Sequence, residues 1–124
     1  MVFMVKPKQE VPAALVRDGT YKANLTSIQK FANTYGERVG FEFTVLDGRH
    51  QGEKVIRSTA PQLTRQSKLT EVIEGILGRP LTEHELTGGI DLDQLIGKEC
   101  SILVLQSRSK TGVTYSNVER VFST

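Results

Sequence analysis

A two-residue alternation of apolar and other side chains runs through residues 38–47, Arg-Val-Gly-Phe-Glu-Phe-Thr-Val-Leu-Asp. The apolar set consists of Val39, Phe41, Phe43 and Val45. Because successive side chains of a β-strand point to opposite faces, this set would face a core while the residues between them face outward. Tyr35-Gly36 precedes the segment and Asp47-Gly48 follows it, as is typical of tight turns. The segment therefore predicts a long central strand in an antiparallel β-domain, entered and left by hairpins.

The preceding segment also alternates, but its phase changes part-way. Residues 21–25 alternate regularly, and after Thr26-Ser27 the inward position passes to Ile28. An extra residue of this kind is a β-bulge, which bends a strand and lets it serve two parts of a curled sheet. After the phase change Phe31 would point away from Ile28, toward solvent or a ligand.

The rest of the chain predicts a third strand, a helical segment and a closing hairpin. The third strand covers residues 53–59 and is stopped by Pro61. An amphipathic helix follows, capped by Thr64 or Ser67 and ended by Gly78. Its apolar stripe consists of Leu69, Val72, Ile73, Ile76 and Leu77. Short helical turns start at Thr82, in a capping box with Glu85, and at Asp91, before two strands joined by a hairpin loop over residues 108–112.

Three strands, a helix and two strands form the plan of the five-stranded OB barrel. The predicted fold class is therefore all-β with one main helix, in the order β-β-β-α-β-β. A single domain would cover residues 19–124, after an extended or flexible arm over residues 1–18 that holds two prolines. A split α+β sheet with the same element order is the alternative.

Charge is distributed unevenly along the 124 residues, although the formal net charge is only +2. The net charge is +3 over residues 1–62, −3 over residues 63–99 and +2 over residues 100–124. A polyanion would therefore meet the strands rather than the helices. The alternative is a set of scattered, solvated charges.

No apolar run approaches a membrane span, the start of the chain lacks the features of a signal peptide, and a single cysteine fits a reducing cytoplasm.

Residues that could carry chemistry do not cluster in the sequence. His50, His84 and Cys100 fall in three separate predicted elements, without the paired spacing of a metal site. Both histidines are interpreted as exposed polar residues and Cys100 as a small core residue. Asp91 and Asp93 suit helix capping. We therefore expect no enzyme activity, no metal and no cofactor.

The predicted outer surface of the barrel offers basic and aromatic side chains instead. Ligands of OB barrels lie across the second and third strands, between the first–second and fourth–fifth loops. Cations that follow a backbone, with rings on which bases stack, suit sequence-tolerant binding of a single strand. Glu42 on the same face opposes such binding. The candidate nucleic-acid-binding residues are Phe31, Tyr35, Arg38, Lys54, Arg57, Arg108 and Lys110. For the two aromatic residues, packing against the barrel rim is the alternative.

Several segments together resemble a known family. They are Gly19-Thr20-Tyr21-Lys22-Ala23, residues 41–48 after Tyr35-Gly36, Ser67-Lys68-Leu69 with residues 76–79, residues 91–98, and Gly112 followed by residues 115–118. Over residues 19–122 the chain resembles small OB-fold single-stranded-DNA-binding-like proteins of phages, prophages and mobile elements. The resemblance implies binding of single-stranded DNA in replication or recombination, without catalysis.

The leading hypothesis is thus a non-catalytic OB-fold protein whose partner is single-stranded DNA. Proteins of replication or recombination and further copies of the chain are the other expected partners, and no membrane is expected. The second hypothesis is an interaction or assembly subunit that does not bind nucleic acid, since OB barrels are used for both functions. An oligosaccharide binder is the third, although the chain lacks tryptophan.

Overall fold

Five antiparallel strands form one sheet in the structure, a computed structural model that describes residues 16–34, 36–108 and 110–123. The strands are β1 (Gly19–Asn33), β2 (Gly36–Val45), β3 (Lys54–Thr59), β4 (Glu99–Arg108) and β5 (Thr114–Phe122). They lie in the order β3-β2-β1-β4-β5. Between β3 and β4 the chain forms helix α1 (Lys68–Leu77), helix α2 (Glu83–Gly88) and a 3₁₀ turn (Leu92–Leu95). The predicted mostly-β class with one main helix is confirmed.

The central strand is β2, as the alternation predicts. Phe41 and Phe43 are fully buried, and Val39 and Val45 on the same face are nearly so. Glu42 and Thr44 on the opposite face are only half-buried. Two inward phenylalanines on one strand give the core its largest side chains, because aromatic rings remove the most apolar surface from water.

The predicted bulge in β1 is present. Leu25 pairs with Phe43 and Ser27 pairs with Glu42, which leaves Thr26 as the extra residue. Below the bulge β1 pairs with β4 through Gly19–Asn24, whereas from Ala23 onward it pairs with β2. The bent strand is therefore shared by two parts of the sheet, as a bulge allows.

The sheet stays open between β3 and β5, so a closed barrel is not confirmed. The two strands nevertheless lie in contact. One link between them is a side chain: Nη1 of Arg57 donates a hydrogen bond to the carbonyl oxygen of Val118 at 3.4 Å.

Helix α1 packs mainly against β5, with a smaller contact to β4. Ser67 caps it by accepting a hydrogen bond from the N–H of Thr70, and Gly78 ends it in the left-handed conformation. Four of the five predicted stripe residues are buried, and Leu77 is partly buried against the core. At Gly75 the helix meets the backbone of β5, since a Cβ built there would lie 2.2 Å from the carbonyl oxygen of Val121.

Most of the predicted arm, residues 1–15, lies outside the described residues. Val16 is fully buried, and its N–H and C=O groups both bond to the hydroxyl of Ser116 at 2.8 Å. Oδ1 of Asp18 accepts a hydrogen bond from the N–H of Gln106 at 2.7 Å. Residues 16–18 therefore belong to the folded domain.

His50 is not an exposed residue, contrary to the prediction. It is 8% exposed, and its Nε2 accepts a hydrogen bond from the N–H of Arg17 at 3.2 Å. Its Nδ1 lies 3.1 Å from Oε1 of Glu53, and the ring of Tyr21 packs edge-on against the imidazole. A buried polar ring must be hydrogen-bonded, and this loop histidine uses both nitrogens to hold residue 17 against the β2–β3 hairpin. His84 is exposed, as expected.

The close contact at Gly75 generates a stability prediction. We expect Gly75→Ala to lower the free energy of unfolding by about 1–3 kcal/mol, although alanine gains about 1 kcal/mol in helix propensity. The matched control is Gly88→Ala in α2, where a Cβ would meet nothing within 4 Å. Urea denaturation followed by circular dichroism measures both. Equal stability of the two variants would contradict the packing of α1 on β5.

Candidate nucleic-acid interface

A shallow groove crosses the outer face of β1, β2 and β3. The register places Gln29 of β1 opposite Gly40 of β2, and Glu42 of β2 opposite Ile56 of β3. Directly opposed residues share a face, so these side chains form one surface. The groove encloses about 140 Å³ and is lined by Ser27, Gln29, Phe31, Gly40, Glu42 and Ile56.

Phe31 lies on the outer face, as predicted, and its ring covers Gly40. A Cβ built at Gly40 would lie 3.2 Å from Cε1 of Phe31, so the glycine leaves the space that the ring uses. The ring is still 44% exposed, and Ile56 is 52% exposed. Part of the ring therefore packs on the sheet and part of it is exposed, and its role in stacking stays a prediction.

Glu42 places a carboxylate in this groove. It is half-buried, and its Oε1 accepts a hydrogen bond from the hydroxyl of Thr26 at 3.2 Å. The same hydroxyl lies 3.1 Å from the backbone oxygen of Glu42, so its one proton is shared between these two acceptors. A phosphate that crosses the middle of the groove would be repelled by this charge, so an anionic strand must place its bases there and its phosphates elsewhere.

Arg38 and Lys54 lie on the same outer face. Arg38 is the direct cross-strand neighbour of Phe31, and its Nη2 reaches across to the backbone oxygen of Ser58 at 3.2 Å. Lys54 is exposed at the start of β3, opposite Thr44. Phe31 and Arg38 also line a neighbouring cavity of about 370 Å³, together with Lys30, Ala32, Glu37 and Pro61. The structure therefore brings an exposed ring and a guanidinium together.

The prediction that Arg57 shares the outward face of β3 with Lys54 is wrong. Arg57 pairs with the inward-facing Phe41, whereas Lys54 pairs with the outward-facing Thr44. Three positions along a strand place two side chains on opposite faces, because the side-chain period is two. The guanidinium of Arg57 instead emerges at the open seam between β3 and β5.

The other candidates are not joined to the groove. Arg108 ends β4 and Lys110 lies in the β4–β5 turn, and both are exposed. The ladder between β1 and β4 ends at the pair Gly19–Val104, so this hairpin extends beyond it. Neither side chain lines the groove or the neighbouring cavity that Phe31 lines. Tyr35 lies outside the described residues and stays a prediction.

A cationic cavity that the sequence did not predict lies beside the end of β3. It encloses about 450 Å³ and brings together Arg38, Arg57 and Lys68. Lys68 was missed because the helical middle of the chain is acidic as a whole, and charge summed along the sequence hides one lysine at the start of a helix. The available signal was the position of Lys68 in the first turn of the predicted helix, which is the next element after the strand that bears Arg57.

Metal-ligating groups are not assembled in the part of the chain that the structure describes. No three His, Cys, Asp or Glu side chains there are placed to hold a metal ion. Cys100 is fully buried, and burial, with a smaller contribution from Glu99, raises the pKa of its thiol to about 12. Among these same residues no helix is long and apolar enough to cross a membrane.

No protein-family model matches the chain, and no curated protein matches it with significance. Its function is therefore inferred from the chemistry of the sheet face and its cavities.

The environment of Cys100 generates a reactivity prediction. A thiol with a pKa near 12 is almost entirely protonated at pH 8, and only the thiolate reacts with a disulfide reagent. We expect Cys100 of the native protein to react with Ellman's reagent no faster than the protein opens to expose it. In about 6 M guanidinium chloride, where the chain is unfolded, the thiol should react completely. Fast labelling of the native protein would contradict the burial of this side chain.

Proposed function

We propose that this protein binds single-stranded DNA without catalysis and largely independently of sequence, in replication or recombination. The observation that carries the proposal is the half-exposed ring of Phe31, seated on Gly40, beside exposed Ile56 and directly opposite Arg38. The proposed setting is the cytoplasm, with replication or recombination proteins as further partners.

The proposed architecture is an OB barrel. The strand order β3-β2-β1-β4-β5 is that of such a barrel cut open between β3 and β5. Contact between these two strands, and the hydrogen bond from Arg57 to Val118, support closure at the seam. The groove then lies where OB barrels bind oligonucleotides, on the face of the second and third strands.

Base stacking supplies the sequence tolerance in this proposal. Every base has a flat aromatic face, and stacking on a protein ring contributes about 1–3 kcal/mol per base. Phe31 offers the ring, and Ile56 extends the apolar surface across β3. The groove of about 140 Å³ has room for the edge of a base rather than for a folded ligand.

Phosphates would pass along the two sides of this apolar strip. Arg38 lies opposite Phe31 near the start of β2. Lys54 lies opposite Thr44, near the end of β2. Glu42 between them keeps phosphates out of the centre, so bases rather than backbone would face the sheet. Arg108 and Lys110 of the exposed β4–β5 hairpin are proposed to extend the path.

A second candidate function is that of an interaction or assembly subunit, and one surface favours it. Leu105 and Tyr115 are exposed on one face of the β4–β5 hairpin, since Leu105 pairs with Asn117 and Tyr115 pairs with Ser107. Val113 is exposed at the adjoining turn. Light scattering tests this candidate: a stable oligomer that Tyr115→Asp dissociates, with no effect of DNA, would favour it over the first.

The leading proposal predicts that Phe31→Ala weakens binding of a fluorescent oligonucleotide roughly tenfold, because one stacked base is lost. Fluorescence anisotropy measures the affinity. The matched control is Phe122→Ala, which removes a ring of similar exposure, 37%, that does not line the groove, and it should change little. Wild-type protein that fails to bind at low salt, or equal losses in both variants, would reject the proposal.

Salt dependence tests the proposed phosphate contacts. Contacts to three to five phosphates predict a slope of about −2 to −3.5 in the logarithm of the association constant against the logarithm of salt concentration. A slope near zero would exclude the electrostatic part of the proposal.

Glu42 provides a test in the opposite direction. Glu42→Gln should strengthen binding about two- to fivefold at low salt, because one negative charge leaves the groove while the oxygen that accepts from Thr26 stays. Glu119→Gln on β5 makes the same change in net charge at an exposed residue that does not line the groove. If both variants strengthen binding equally, the effect comes from net charge and the strand does not cross the groove.

A further inference from the structure

The cationic cavity at the end of β3 has the composition of an anion site. Arg38 and Arg57 come from the sheet and Lys68 comes from α1. The remaining lining is uncharged and consists of Ser58, Thr59, Ala60, Gln62, Gln66 and Ser67. Among the described residues, therefore, the lining holds three positive charges and no carboxylate.

Among the described residues, the hydrogen bonds of both arginines go to neutral acceptors. Nη2 of Arg38 donates to the backbone oxygen of Ser58 at 3.2 Å and to its hydroxyl at 3.3 Å. Nη1 of Arg57 donates to the backbone oxygen of Val118. All of these acceptors are neutral. A guanidinium has five N–H donors in a rigid fork, so each arginine keeps further donors for a ligand while its position is fixed by the sheet.

Lys68 adds the third charge from a different element. Its side chain is 70% exposed, and its Nζ lies 4.0 Å from Oε2 of Glu71. An exposed pair at that distance contributes little and is screened by salt. The ammonium can therefore turn to an anion in the cavity, where the other two cations are already fixed.

We propose that this cavity is a phosphate site that prefers a dianionic group, a phosphomonoester or a diphosphate, over the phosphodiester of a continuous strand. A phosphomonoester carries a charge of about −1.5 to −2 at pH 7, whereas a diester carries a single charge. Three cations without a carboxylate favour the higher charge. The choice of phosphate rests on the proposed nucleic-acid function, and the site itself rests on the lining.

The volume of about 450 Å³ exceeds what one phosphate needs and lies in the usual range of small-ligand pockets. Two glutamine side chains in the lining can donate to and accept from a sugar or base. Two sources of the phosphate fit this space: the phosphorylated end of a DNA strand, and a free nucleoside diphosphate.

The site is tested with inorganic pyrophosphate and the isotope-labelled full chain, in a buffer without phosphate or sulfate. We expect the amide resonances of Ser58, Gln62 and Gln66 to shift on titration. Lys68→Gln should weaken the affinity about tenfold, since a hydrogen bond to a charged group is lost. The matched control, Lys98→Gln, removes an exposed lysine that does not line the cavity and should leave the affinity unchanged. Absence of shifts at millimolar pyrophosphate, or equal affinities of the two variants, would overturn the proposal.

The source is then identified with oligonucleotides that carry a 5′-phosphate or a 5′-hydroxyl, and with ADP. Preference for the phosphorylated strand assigns the site to strand ends, and preference for ADP assigns it to a free nucleotide. The outcome also separates this site from the proposed function. Pyrophosphate binding without Phe31-dependent DNA binding supports the site and rejects the DNA proposal, whereas Phe31-dependent DNA binding without pyrophosphate binding overturns the site alone.

Discussion

The extra residue Thr26 in β1 fixes which side chains are inside and which are outside in the first half of the sheet. Before it, Leu25 faces the core with Phe43; after it, Ile28 faces the core with Phe41. Without the bulge the alternation would continue in its first phase, and Phe31 would turn inward. One backbone irregularity therefore both bends the strand and exposes the ring on which the proposed ligand stacks. Its hydroxyl also lies within hydrogen-bonding distance of the Glu42 carboxylate, which supplies the negative charge of the groove.

The positive charge that could meet an anion is concentrated beside β3, although the net charge of the chain is only +2. Arg38 reaches over β3 to Ser58, and Arg57 reaches from the inner face of β3 to β5. Both side chains are half-buried, and their hydrogen-bond acceptors are neutral. Their positive charge therefore remains available in the cavity beside the end of β3. Exposed ion pairs such as Arg79–Glu85, which is doubly hydrogen-bonded at 2.9 Å, instead stabilise local turns and leave no charge for a partner.

Most of the local structure could be predicted because it depends on the spacing of apolar residues and on the residues that cap helices. The alternation of β2, the bulge, the stripe of α1 and the Thr82–Glu85 capping box all follow from neighbours in sequence. What could not be predicted depends on distant contacts. His50 is buried because residue 17 and Tyr21 meet its loop, and Lys68 joins two arginines because α1 starts beside the end of β3. The misplacement of Arg57 was avoidable, since counting from Val55 places it on the inner face.

Arg57 also affects how two molecules could associate through the edges of their sheets at high protein concentration. The open seam leaves β3 and β5 as edge strands, and unpaired edges can add a strand from another molecule. A charged side chain that points inward at an edge makes such pairing costly, because the incoming strand would bury it. Nη1 of Arg57 also lies 3.4 Å from the carbonyl oxygen of Val118, so the guanidinium stands in the way of a strand that approaches β5 at this point. The inward charge of Arg57 is therefore expected to disfavour edge-to-edge pairing at β3.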